Sequence, residues 1–141
     1  MTESKQAGAV ADLQQFAQLY AKAWCGDDAA RVAAFFAENG SLQVNDGTPA
    51  VGRTAIAGVV QGFFDAFPDM IVSFDRLEKT GVRVHFHWTL TGTNNGRGGT
   101  GKFIRISGHE DWRIGDDGLV RESLGHFDAA AYERQLRHGA P

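Results

Sequence analysis

The strongest constraint on this chain is a run of alternation near its C-terminal end, from Ile104 to Asp128, reading IRISGHEDWRIGDDGLVRESLGHFD. It predicts two long antiparallel strands joined by a turn at Gly115-Asp116-Asp117-Gly118, because Asp-Gly is a strong short hairpin signal. Side chains alternate across a strand, so Ile104, Ile106, Gly108, Glu110, Trp112 and Ile114 share one face. On the returning strand Val120, Glu122, Leu124, His126 and Asp128 share a face. Both sets carry carboxylates among hydrophobes, and both are expected to look into the core. Acids on an apolar face are expensive to ionise, and chemistry is one reason to keep them. The alternative has Glu110 and Glu122 turned outward through a bulge, with Asp128 capping a C-terminal turn at Ala129-Ala130-Ala131.

Upstream, residues 1–9 read as a polar, disordered lead-in and residues 10–138 as a single domain. From Asp12, apolar residues recur at Leu13, Phe16, Ala17, Tyr20 and Trp24, the spacing of a helix that Asp12 caps and Gly26 ends. Asp27 and Asp28 cap a second helix carrying Ala29, Val32, Ala33 and Phe36, which stops at Asn39-Gly40. Ser41–Val44 is a short strand and residues 45–49 a turn. A third helix follows Gly52, with Ile56, Val59, Val60, Phe63, Phe64 and Phe67 on one side and Pro68 as its stop. The period then changes to two, giving strands over Met70–Leu77 and Val82–Thr93 before the final pair. Residues 129–137 form a short helix or lie across the surface. Three N-terminal helices followed by antiparallel strands predict an α+β fold, with helices on one face of a strongly curved, mainly antiparallel sheet that encloses a pocket.

Composition narrows the function classes. A hydrophobic content of 43% in 141 residues is enough for a real core. The net charge is −3 and no basic stripe appears, so neither nucleic acid nor an anionic membrane is an expected partner. No apolar stretch is long enough to span a bilayer, and the N-terminus lacks the pattern of a secretory leader, so a cytoplasmic location is expected. The single cysteine, Cys25, precludes an internal disulfide.

Three conspicuous features have plain explanations. Gly96-Arg97-Gly98-Gly99-Thr100-Gly101-Lys102 imitates a phosphate-binding loop, but Phe103 and an alternating strand follow where a helix N-terminus would have to receive the phosphate. His85 and His87 share a strand face with Arg83, Thr89, Thr91 and Thr93, while Val82, Val84, Phe86, Trp88 and Leu90 occupy the opposite one. The apolar set is the inner one, which places both histidines on the outside or at a subunit interface, and no metal is expected. Trp24 is expected to fill the core, whereas Trp88 and Trp112 are equally suited to core or pocket.

The order of Gly52-Arg53-Thr54-Ala55-Ile56, Phe67-Pro68-Asp69, Trp88-Thr89-Leu90-Thr91-Gly92-Thr93, Gly118-Leu119-Val120-Arg121-Glu122 and Phe127-Asp128 resembles the SnoaL-like polyketide (ester) cyclase branch of the ketosteroid-isomerase and nuclear-transport-factor superfamily. The resemblance covers roughly residues 12–137. It implies a cone-shaped α+β barrel, a deep pocket, and a homodimer formed through the outer sheet face. It also implies that Asp128, at the end of the last strand, matches the cyclases' acid/base for intramolecular aldol closure, and that Glu110 matches a second polar pocket residue. The sequence departs from the pattern at Leu124, Asn94 and His87, where that branch usually has Trp, His and Arg. Phe86 and Trp88 stand where an epoxide-hydrolase branch would need Arg and Asp.

The expected chemistry is cofactor-independent proton transfer next to a carbonyl, giving aldol cyclisation or isomerisation of a hydrophobic small molecule. Asp128 is the expected general base and acid, with Glu110 and His126 orienting substrate or stabilising an enolate oxygen. Trp88, Trp112, Phe63, Phe67 and Phe86 are the expected aromatic wall, and Asn45 a polar contact at the mouth. The rival reading is a non-catalytic small-molecule-binding or dimerisation domain of the same fold.

Overall fold

The computed structural model describes residues 2–141, with side chains from Asp12 onward. Helix α1 spans Thr2–Trp24 and turns Ala17, Tyr20, Ala21 and Trp24 into the core, as their spacing predicts. It begins well before Asp12. Of the expected lead-in, Met1 lies outside the described residues and residues 2–9 belong to α1. Glu3, Lys5, Gln6 and Ala7 are good helix formers, and nothing in the segment stops a helix that has been nucleated further on.

Helix α2, Ala29–Ala33, is capped by Asp28, whose Oδ1 accepts the Ala30 N–H at 3.1 Å. It is shorter than expected, because Phe36 already belongs to strand β1, Phe36–Val44. The Asn39-Gly40 pair that reads as a helix stop is a bulge inside β1. A Cβ on Gly40 would lie 2.8 Å from the Val120 carbonyl oxygen, so only glycine lets the strands approach there. Strand β2, Ala50–Val51, leads into helix α3, Arg53–Ala66. Strands β3 (Ile71–Thr80), β4 (Arg83–Thr93), β5 (Phe103–Ile114) and β6 (Val120–Phe127) follow, then helix α4, Ala129–His138.

The strands form one curved, unclosed sheet in the order β2-β1-β6-β5-β4-β3. All pairs are antiparallel except β1 with β6, which is the crossover that brings the N-terminal half alongside the C-terminal hairpin. The expected α+β architecture is present. The inner face presents Val84, Phe86, Leu90, Ile104, Ile106 and Trp112 to the helices. Burying such side chains stabilises the fold by roughly 1.5–3 kcal/mol each.

The motif residues upstream of the hairpin are structural pins. Arg53 Nε donates to the Phe36 carbonyl at 2.9 Å, tying α3 to β1. Asp69 accepts the Thr93 N–H at 2.7 Å, a bond that holds its carboxyl below the usual range. Asn94 bridges the end of α3 and the glycine-rich loop, donating to the Ala66 carbonyl and accepting from Thr100 N–H. That loop runs straight into β5, so no helix N-terminus faces it.

On the outer face, His87, His109 and His126 stand in register across β4, β5 and β6, with ring centroids 5.4 and 4.8 Å apart. His85 lies 5.9 Å from His109. Glu78 Oε1 on β3 is 2.6 Å from His87 Nε2. Both predicted outer histidines are where the alternation puts them. Among the described residues no group of three His, Cys, Asp or Glu is arranged to hold a metal ion, and no helix is long and apolar enough to cross a membrane.

Partial burial lowers the His109 pKa below its ordinary 6.5, and charging of His126, His87 and His85 pushes it the same way, against Asp111. The unfolded chain then takes up this proton at a higher pH than the folded one. Stability is complete above about pH 6.5 and falls as the pH drops toward the lower folded-state value. The urea midpoint should fall between about pH 7.5 and 5.5, and less steeply in His109→Gln. An equal fall in both proteins would remove His109 from the account.

Candidate active site

Glu110 is 7% exposed, on the inner face of β5 where alternation placed it. Tyr20 Oη on α1 donates to its Oε1 at 2.9 Å and, more distantly, to Oε2 at 3.2 Å. Trp112 Nε1 donates to Oε1 at 3.0 Å and Ser123 Oγ to the same oxygen at 2.7 Å. All three donors are neutral. Burial therefore dominates and raises the carboxyl pKa above the ordinary 4.5, against the three hydrogen bonds that favour the anion. The same burial, with the carboxylate beside it, pushes the Tyr20 phenol well above 10.0.

Glu110 borders a pocket that opens to solvent and has a free interior of about 70 Å³. Its walls are Trp24, Phe63, Phe67, Trp88, Phe127 and Tyr132, together with aliphatic side chains such as Leu42, Val72 and Ile106. Trp88 meets Phe127 with ring centroids 6.0 Å apart, and Phe127 meets Tyr132 of α4 at 5.5 Å. Trp88 fits because position 108 opposite it is glycine, where a Cβ would lie 2.7 Å from the Trp88 ring and clash with the His126 carbonyl. Trp24 is buried too, and its Nε1 has no hydrogen-bond partner.

The expected residues divide into three groups. Glu110, Trp88, Phe63 and Phe67 line the pocket. Trp112 and Phe86 do not line it. They stack face to face behind it, 4.8 Å apart, because both are fully enclosed by Tyr20, Phe74 and Phe16. Asp128, His126 and Asn45 lie outside the lining. His126 belongs to the outer histidine row, and Asp128 is exposed as the N-cap of α4, accepting the Ala131 N–H at 3.0 Å. Asn45, with φ 51°, accepts the Phe127 N–H at 2.9 Å and ties β1 to β6.

One local event accounts for the displaced pair. The register of β5 with β6 shifts so that Ile114 faces Val120 but Arg113 faces Glu122, leaving Arg121 as an extra residue. A one-residue slip sends every later side chain to the other face. Val120 points inward, but from there Ser123, Gly125 and Phe127 are the inner residues, and Glu122, Leu124 and His126 the outer ones. Glu122 accordingly pairs with Arg83 on the outer face at 2.7 Å. Sequence reading missed Ser123, Tyr20, Phe127, Tyr132 and the pocket-facing position of Trp24. Tyr20 had a visible signal, a hydroxyl within an otherwise apolar stripe, which implies a buried partner.

The SnoaL-like polyketide cyclase family pattern matches residues 14–136, nearly the whole chain. The chain belongs to that family. Solved structures support the fold. A protein assigned as a polyketide cyclase, from Xanthomonas campestris pv. campestris, superimposes with a TM-score of 0.75 at 20% identity, covering 87% of this chain and 95% of the other. A protein with a ketosteroid isomerase-like fold from Catenulispora acidiphila DSM 44928, in complex with trimethylamine, gives 0.72 at 17% identity over 83% and 88%. A phenazine biosynthesis-related protein from Pseudomonas aeruginosa gives 0.70 at 17% over 92% and 90%. A comparison with curated proteins finds no match. Members of this family with an acid at the end of the last strand suggested Asp128 as the base, but here that residue caps a helix.

Removing the cap should therefore be a stability event alone. Asp128→Ala should lower unfolding free energy by about 1 kcal/mol, while Asp128→Asn, still a competent cap, should leave it nearly unchanged. Neither should alter what the pocket binds. A loss of pocket binding in Asp128→Asn, with stability intact, would return this residue to the site.

Proposed function

We propose that the protein is a cofactor-independent acid/base enzyme of the polyketide cyclase type, with Glu110 as its proton-carrying group. The observation that supports this is a carboxyl without a cationic partner among the described residues, buried at the edge of a pocket whose other walls are apolar and aromatic. Such a carboxyl ionises closer to working pH than a free glutamate, which makes it a stronger base when charged and a usable acid when neutral.

In this reading a hydrophobic substrate lies among Trp88, Phe63, Phe67, Phe127 and Tyr132. Ionised Glu110 takes a proton from the carbon next to a carbonyl; the C–H bond breaks, an O–H bond forms on Glu110, and the electron pair passes into the enolate. The enolate then attacks a second carbonyl of the same molecule, or is reprotonated at another carbon. In either case Glu110 returns its proton and ends as it began.

A second reading is a small-molecule binder. It draws on the fact that three internal donors already satisfy Glu110 Oε1, which is also how a purely structural buried acid is held.

The two readings separate on Glu110→Gln, which keeps size and hydrogen bonding but cannot carry the proton. With an aromatic polyketide-like ketone as substrate, the enzyme reading predicts a loss of turnover by a factor of at least about 100, with substrate still bound. It also predicts that wild-type kcat rises with pH through a midpoint above the ordinary glutamate range. Turnover that survives Glu110→Gln would refute the assignment, and binding without turnover in the wild type would favour the binder.

Pocket occupancy should depend on the wall that Gly108 makes possible. Gly108→Ala should displace the Trp88 ring, weaken binding of an apolar fluorescent probe such as 1-anilinonaphthalene-8-sulfonate about tenfold, and destabilise the fold by about 1–3 kcal/mol. Unchanged affinity would show that Trp88 is not part of the binding wall.

A further inference from the structure

The hydrogen bonds divide the two oxygens of Glu110 unequally. Oε1 accepts from Ser123 at 2.7 Å, Tyr20 at 2.9 Å and Trp112 at 3.0 Å. Oε2 has only the longer branch of the Tyr20 bond, at 3.2 Å. A carboxyl oxygen offers about two lone-pair directions, so three donors more than fill Oε1. A proton placed there would displace one of them, whereas on Oε2 it displaces at most the weak branch.

The surroundings agree. Tyr20, Trp112 and Ser123 are fully buried and none lines the pocket, while Glu110 does. The donors therefore close on the carboxyl from the core side. Ser123 reaches it only because of the slip in β6: Ser123 is the register partner of Trp112, and regular pairing from Val120 would stand Glu122 there instead.

We propose that Ser123 is a positioning residue which, together with Trp112, holds Glu110 Oε1 as a closed, carbonyl-like oxygen and leaves Oε2 as the oxygen that carries and exchanges the proton with a pocket ligand. This rests on Glu110 being the working group of the pocket. No group is transferred in the resting protein; the proton on Oε2 exchanges with ligand or solvent, and the bonds to Oε1 persist in both protonation states.

The test reads the carboxyl directly, in the full chain and without a ligand. Glutamate labelled with 13C at Cδ is titrated by NMR in wild type, Ser123→Ala, Ser123→Thr and Trp112→Phe, and the infrared C=O stretch of the neutral acid is recorded in each. Removing one donor from the ionised form should raise the Glu110 midpoint by about one unit in Ser123→Ala, with Ser123→Thr returning it. The C=O band should move to higher frequency in Ser123→Ala, because the carbonyl oxygen has lost a donor. Trp112→Phe, which keeps the stacked ring, should move both in the same direction, and thermal unfolding identifies any variant that fails to fold. A Glu110 midpoint and C=O band that stay put in Ser123→Ala and Trp112→Phe would overturn the proposal while leaving the acid/base reading standing. Turnover that persists in Glu110→Gln would overturn that reading instead, and a shifted midpoint would still locate the proton.

Discussion

The structure depends on how one buried carboxyl is accommodated. Glu110 sits between the helical layer and the sheet, bonded from α1 by Tyr20, from its own strand by Trp112 and from β6 by Ser123. A carboxylate stripped of water without a cation costs several kcal/mol, and each bond from a neutral donor to it returns roughly 1.5–3 kcal/mol. The neutral form escapes most of that penalty, which is why burial prevails and the pKa rises. The Tyr20 bond fastens the first helix to the last hairpin across 90 residues of sequence, and the other two tie the hairpin to itself. Site and fold are thus held by one network, and Tyr20 and Trp112 add packing to it through an edge-on contact at 5.2 Å.

Much of this was legible in the sequence because periodicity survives folding wherever pairing is regular. Strands β4 and β5 keep an unbroken register over their whole shared length, so every inner and outer residue there was assigned correctly, including Glu110 and the outward His85 and His87. The misreadings in β1 and β6 share one cause. A bulge adds one residue without changing the pattern of residue types, and alternation alone cannot show where it falls. In β6 the slip exchanged Glu122, Leu124, His126 for Ser123, Gly125, Phe127. In β1 the Gly40 bulge disguised the start of a strand as the end of a helix. The outward carboxylates of the last hairpin were the available warning, since several acids pointing into one core exceed what neutral donors can satisfy.

The motif pieces that carried the family resemblance turn out to be pins more than chemistry. Arg53 and Asp69 each satisfy a backbone group where helix and strand meet. Such groups have no water to turn to, so side chains that satisfy them are specified tightly by the fold. A resemblance built from these residues therefore identifies the architecture well and says little about the reaction. That is consistent with structures of the same fold at 17–20% identity carrying different descriptions.

The placement of the acid also bears on how such a site works. Asp128, at the end of the last strand, is exposed and is taken up in capping the N-terminus of α4. Glu110 lies in the middle of β5, walled on one side by three fully buried donors and on the other by aromatic rings. A carboxyl fixed in this way exchanges a proton with little rearrangement, because its partners stay bonded to the oxygen that does not change. The register slip that hid Ser123 from the sequence is what completes that arrangement, so the least readable feature of the chain is the one that fills the coordination of its buried acid.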